Sequence, residues 1–199
     1  MSAKIYVEGG GESKEMHARC REGFRRLLEK CSLKDRMPRL VACGGRNATF
    51  DDFSTAHQNN SGNAYIALLV DSEDSVADIE QPWAHLKARD KWDKPNGATD
   101  EQVLFMTTCM ESWIASDRPT LRKHYGSTLR ESALPSLEGM EARDRHAVQD
   151  ALVNATRDCK NAYKKGKRSF DVVAELSPDE LRKHLPNFER FERVLKRKL

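Results

Sequence analysis

The sequence predicts an α/β fold, a mainly parallel sheet flanked by helices and extended by a C-terminal helical annex. Three observations predict it. Short apolar runs stop at glycine-rich turns and pass directly into helical patterns. One run, Ala64 to Val70 (AYIALLV), is continuously apolar, as a strand covered on both faces must be. From Cys109 onward the pattern becomes helical.

The first unit is the run Ile5-Tyr6-Val7, the turn Gly9-Gly10-Gly11, and a helix whose apolar stripe is Met16, Cys20, Phe24, Leu27, Leu28 and Cys31. Those residues recur every three or four positions, and the opposite face is Lys, Arg and Glu. The rhythm repeats: Leu40-Val41-Ala42 stops at Gly44-Gly45, and a helix through Phe50 and Phe53 follows. A turn cluster, Asn59 to Asn63, leads into the central strand. Strands alternating with helices imply right-handed parallel crossovers, so the first and third strands can be neighbours with their carboxyl ends facing the same way.

Pro82 to Gly97 is polar and turn-rich, an excursion with a short helix pinned by Trp83 and Trp92 before the next core element, Gln102 to Thr108. Helical stripes follow at Met110, Trp113 and Ile114, at Val148, Leu152 and Ala155, and at Leu181, Leu185, Phe188, Phe191 and Leu195. In Ser177-Pro178, serine can cap a helix that proline opens. The expected division is an α/β domain over 1–117 and a helical extension over 118–199 packed on it.

With 199 residues, 38% hydrophobic and 33% charged, the chain can bury one sizeable core beneath a heavily charged surface. No stretch approaches the roughly 18 apolar residues of a membrane span, and the opening residues lack a secretory pattern, so a cytoplasmic protein is expected. The 5 cysteines are scattered without C-x-x-C spacing and read as reduced thiols. Residues 157–199 hold 13 Lys/Arg against 7 Asp/Glu, which leaves 21 against 24 in the rest: a basic tail follows an acidic body. Such a tail suits either contact with phosphate or a solvated helix face.

Two acidic clusters fall at strand ends. Glu8 closes the first strand and Glu12, beyond the three glycines, opens the following helix; Asp71, Glu73 and Asp74 follow the central strand, where open α/β sheets place their ligands. Carboxylates brought together repel unless a cation neutralises them, and hard oxygen donors without nearby Cys or His favour Mg²⁺ or Mn²⁺ over zinc. Taken singly, each cluster also has a plainer reading: Glu12 as a favourable charge at a helix N-terminus, and Asp71 to Asp74 as a capping loop. Arg46 can bind a phosphate at the same rim or pair with Asp51 or Asp52. Lys164, Lys165 and Lys167 can follow a nucleic-acid backbone or form a solvated turn. Glu111 can point back to the same rim or cap and solvate its helix, and the plainer capping or solvated role is preferred for both Glu111 and Asp117. No phosphate-loop or dinucleotide fingerprint, paired histidine spacing or nucleophile motif is present.

The motifs EGGGE at 8–12 and LLVDSED at 68–74 resemble Toprim domains, the metal-dependent module of topoisomerases, primases and the overcoming-lysogenization-defect nucleases. CGGRNATFDDF at 43–53, CMESWIASD at 109–117, YKKGKRSFDVVAEL at 163–176 and the ending LPNFERF look like the bacterial Toprim-like domain-of-unknown-function family 4276. The resemblance implies a Rossmannoid Toprim-like fold, with Glu8, Glu12 and Asp71 as catalytic carboxylates and Glu8, Asp71 and Glu73 as ligands of Mg²⁺ or Mn²⁺. Glu73 stands where many Toprim domains carry the second aspartate of D-x-D. The implied activity is phosphodiester hydrolysis of nucleic acid, in a bacterial antiphage system whose ATPase partner is encoded nearby. The alternative is a non-catalytic subunit that binds an ATPase or nucleic acid. No membrane partner is expected, and an oligomer is compatible with the sequence.

Overall fold

A computed structural model describes residues 2–62 and 64–199, with Lys167 described by its backbone alone. Asn63, the last residue of the expected turn cluster, lies outside the described residues. Strands β1 (Ser2–Glu8), β2 (Arg39–Gly44), β3 (Ala64–Asp71) and β4 (Val103–Met106) form one all-parallel sheet in the order β2-β1-β3-β4. As the strand–helix rhythm predicts, β1 lies beside β3, with Ile5 opposite Ala67 and Val7 opposite Leu69.

Nine α-helices are formed by the described residues: α1 (Lys14–Leu28), α2 (Arg46–Gln58), α3 (Pro82–Asp90), α4 (Met110–Ser116), α5 (Arg118–Tyr125), α6 (Arg145–Thr156), α7 (Lys167–Val173), α8 (Pro178–His184) and α9 (Pro186–Lys198). No helix among the described residues is long and apolar enough to cross a membrane.

Strand alternation divides the core into two layers. Ile66, Leu68, Val70, Val103 and Phe105 face α2 and α3, where Phe53, Trp83, Leu86 and Trp92 close the smaller cluster. Ile5, Val7, Ala67, Leu69, Leu104 and Met106 face the larger cluster, which α1 and α4 to α9 complete. That larger cluster runs without a break from the sheet into the C-terminal helices. At its centre Trp113 meets Phe188 edge-on at 4.9 Å and Phe191 at 5.3 Å. Edge strand β4 is covered by α9, from which Arg190 donates to the carbonyls of Val103 at 2.9 Å and Asp100 at 2.8 Å. Unpaired edge groups are thereby given partners within the chain.

Two local expectations are corrected. Glu12 does not open the first helix: Ser13 is the N-cap, accepting from Met16 N–H at 3.2 Å, and Lys14 is the first helical residue. Nor does the Ser177 hydroxyl cap α8, although Pro178 does open it. Instead buried Asp117 accepts the Ser177 N–H at 2.7 Å while its other oxygen caps α5 through Thr120 N–H at 2.9 Å. One carboxylate thus ties two helix starts together, in keeping with the capping role expected of it.

Helix α1 packs closely on α7 through Gly23. A Cβ there would stand 2.7 Å from the Phe170 carbonyl oxygen and 3.3 Å from Phe170 Cβ. Alanine gains about 1 kcal/mol of helix propensity over glycine, whereas forcing apart a tight backbone contact costs about 1–3 kcal/mol. Gly23→Ala is therefore expected to lower the thermal unfolding midpoint, by about 2–4 °C for each kcal/mol of net loss in a chain of this size.

Glu141 accepts the Asn187 N–H at 3.0 and 3.2 Å and the Asn187 side-chain amide at 2.8 Å, at the start of α9. Burial outweighs these hydrogen bonds and lifts the Glu141 carboxyl to about 7 from 4.5. The folded state then holds a proton that the unfolded chain has released, so stability falls as pH rises from 4.5 to about 7. In Glu141→Gln that part of the pH dependence should disappear, as measured by denaturant titrations across the window.

Candidate metal centre

The sheet delivers the acidic residues to one rim. β1 and β3 are parallel neighbours, so Glu8 and Asp71 end their strands side by side. The β1–β2 register shifts between Val7 and Glu8, and Gly9 and Gly44 then exchange backbone hydrogen bonds at 2.8 and 2.9 Å. That bridge needs Gly44 in the left-handed region, at φ 78°, and a Cβ there would stand 2.5 Å from the Gly11 carbonyl oxygen.

Glu8, Asp71 and Glu73 each offer a carboxylate oxygen, and these atoms lie within 4.8 Å of one another. Glu8 Oε2 accepts the Asp71 N–H at 3.1 Å and Arg46 Nη1 at 3.3 Å. Asp71 Oδ1 accepts the Met110 N–H at 2.8 Å, at the first residue of α4, whereas the next element in the chain, α3, starts at Pro82 without a side-chain cap. Glu73 is turned toward the rim by a left-handed backbone, φ 69°, fixed by a hydrogen bond from its N–H to the Thr108 carbonyl at 2.8 Å. Next to it His85 Nε2 donates to the Ser72 carbonyl at 2.9 Å.

Three arginines face this cluster. Arg46 opens α2, donates to the Asp71 carbonyl, forms a two-pronged pair with Asp90 at 3.0 and 2.7 Å, and lies 4.9 Å over the Trp92 ring. Its ion pairs are thus with Glu8 and Asp90, not with Asp51 or Asp52. Arg89 holds Glu73 at 3.1 Å and Asp74 at 3.0 Å, and Arg145, from the first position of α6, pairs with Glu73 as well.

A cavity of about 310 Å³ opens onto Glu8 and Asp71. The glycines Gly9 to Gly11 form one side, and Met110, Glu111, Lys165 and Phe170 are among the residues of the others. Burial drives the Asp71 carboxyl well above the ordinary carboxylate range; the negative charges of Glu8 and Glu111 add to this, against Lys165 and the Met110 N–H. Burial likewise raises Glu8, opposed by Arg46, the Asp71 N–H and Lys165.

Of the remaining candidates, Lys165 lines the cavity, whereas Lys164 is exposed and is not among its lining residues. The Lys167 side chain lies outside the described residues. Glu12 is exposed and stands apart from the three converging carboxylates. Of the two roles open to Glu111, the preferred capping or solvated one is not met: Glu111 is fully buried beside the rim, accepting from the Tyr163 hydroxyl at 2.6 Å and from Gln149 Nε2 at 3.3 Å. Its place in the first turn after β4, at a third strand's carboxyl end, was the available signal. Arg89 and Arg145 had no comparable signal, because only the fold brings them to Glu73.

Fold and site define an α/β protein with a Rossmann-like parallel sheet and an acidic cavity at the carboxyl ends of its central strands. The chain belongs to the DUF4276 family, a domain of unknown function, whose model matches residues 7–196. Neither the curated proteins nor the solved structures contain a match to it.

Asp71→Asn removes the buried ionisable carboxyl while keeping an oxygen for the Met110 N–H. In metal-free protein near neutral pH this variant is expected to unfold at a higher temperature than wild type, since a carboxyl raised by burial costs stability above its unfolded titration range whether it stays charged or takes up a proton. Differential scanning calorimetry in chelator checks it.

Proposed function

We propose that this protein is a divalent-metal-dependent phosphodiesterase acting on nucleic acid. The observation that carries the reading is the convergence of Glu8, Asp71 and Glu73 oxygens within 4.8 Å. All three are hard oxygen donors, the type that suits Mg²⁺ or Mn²⁺. Among the described residues Glu8 Oε1 and Asp71 Oδ2 carry no hydrogen bond, so each carboxylate keeps an oxygen for a cation. Resemblance of EGGGE and LLVDSED to Toprim motifs supports the same assignment.

A bound Mg²⁺ or Mn²⁺ would supply Lewis acidity toward a phosphodiester and toward an attacking water. Glu8, with its carboxyl raised, is suited to exchange a proton with that water. Asp71, fixed by the Met110 N–H, orients the metal-facing oxygen, and Lys165 offers positive charge toward a phosphate. Arg46 is committed to Glu8, Asp90 and the Asp71 carbonyl, so its part is to hold the rim. The chain has no nucleotide-triphosphate motif of its own. An ATPase encoded nearby, as in Toprim-containing antiphage systems, is the partner this reading names.

One observation favours a second reading, a non-catalytic subunit that binds an ATPase or nucleic acid. Arg46, Arg89 and Arg145 already neutralise Glu8 and Glu73 without a metal. Titration calorimetry with Mg²⁺ and Mn²⁺ separates the two. Saturable binding to wild type, absent in Asp71→Asn, is expected together with metal-dependent cleavage of DNA or RNA that Glu8→Gln and Asp71→Asn reduce by at least about a hundredfold. Wild type that binds neither ion would support the non-catalytic subunit.

A further inference from the structure

We propose that the cavity takes one unpaired nucleotide of a single-stranded nucleic acid and excludes a base-paired duplex, an inference that rests on the phosphodiesterase reading. Asp71 is only 9% exposed, and the Glu8 side chain 16%. A phosphate therefore reaches them only through the cavity. Its volume, about 310 Å³, is at the small end of the roughly 300–1,000 Å³ that small-ligand pockets span. That is room for a nucleotide and far too little for two paired strands.

The walls match such a guest. Gly9 to Gly11 present backbone without side chains on one side, so a sugar-phosphate can approach closely. Met16, Met110 and Phe170 give the other side apolar and aromatic surface, against which any base can pack without sequence preference. Lys165 is the one cation among the described lining residues, beside the two carboxylates whose charge it offsets. One phosphate, one base face and the acidic floor are thus each provided for.

The apolar wall is fixed to the body. Phe170 Cζ would stand 3.3 Å from a Cβ at Gly9, and the Phe170 carbonyl abuts Gly23 of α1, so α7 is packed onto both the glycine turn and α1. A duplex carries its phosphates on a stiff double helix, and the cavity that leads to Asp71 has no room for the complementary strand. A single strand can turn one nucleotide inward once that base is unstacked.

The test uses fluorescence anisotropy of the full-length protein with Mn²⁺ and labelled DNA and RNA oligonucleotides of one sequence, each single-stranded or annealed to its complement. For DNA, RNA or both, single strands are expected to bind at least about tenfold tighter than the matching duplex. Met16→Trp, which narrows the cavity, and Lys165→Glu should each weaken single-strand binding at least about tenfold while the far-ultraviolet circular dichroism spectrum stays unchanged. Duplexes bound as tightly as single strands, no binding of either, or single-strand affinity unmoved in both variants would overturn the proposal. Calorimetry on the same preparation keeps the two ideas apart. Metal binding without strand preference sinks this inference alone, whereas wild type that binds no metal removes the phosphodiesterase reading beneath it.

Discussion

Asp71 ends the central strand of the sheet, largely removed from water, with Glu8 beside it and Glu111 facing it. Burying an ion costs several kcal/mol even after a protein relaxes around it, and like charges add to that. Much of the surrounding structure can be understood as the means of holding this charge. Arg46 reaches Glu8 and the Asp71 carbonyl from α2, Arg89 and Arg145 take up Glu73, the start of α4 donates to Asp71, and Lys165 stands across the cavity. Each comes from a different element, so the rim depends on the whole sheet and both helical layers being in place.

The C-terminal helices do more than enlarge the core. Arg145 at the start of α6, Tyr163 before α7, and Phe170 within it all converge on the carboxyl ends of β1, β3 and β4. An open sheet edge, where Asp71 would meet bulk water, becomes a walled cavity. The burial that closes the rim raises the carboxyl groups of Asp71 and Glu8, because it excludes water from them.

Much of the fold was legible from local pattern. Apolar runs of strand length ending in glycine marked β1 and β2, and the fully apolar run of β3, ending in acidic residues, revealed a strand covered on both faces. Boundaries were less legible. Ser13, two residues after the glycine turn, sets the start of α1, and this is why Glu12 points to solvent instead of joining Glu8. Glu73 could be placed at the rim from its position after β3, but its orientation rests on a left-handed backbone held by Thr108, a residue 35 positions away. Glu111 was legible in position but not in burial: a glutamate in a first helical turn is usually solvated, and only the docking of Tyr163 and Gln149 buries it.

By itself the sequence determined the alternation of strands and helices, the parallel sheet that alternation requires, and the placing of Glu8 and Asp71 at strand ends that share one rim. These follow from periodicity and chain connectivity, which are local or nearly so. Tertiary structure alone decided which charges answer those carboxylates and how far water is shut out. Arg89, Arg145 and Lys165 come to the rim across separations that no spacing rule encodes, and the burial that shifts a carboxyl group belongs to the packed assembly of elements rather than to any one of them.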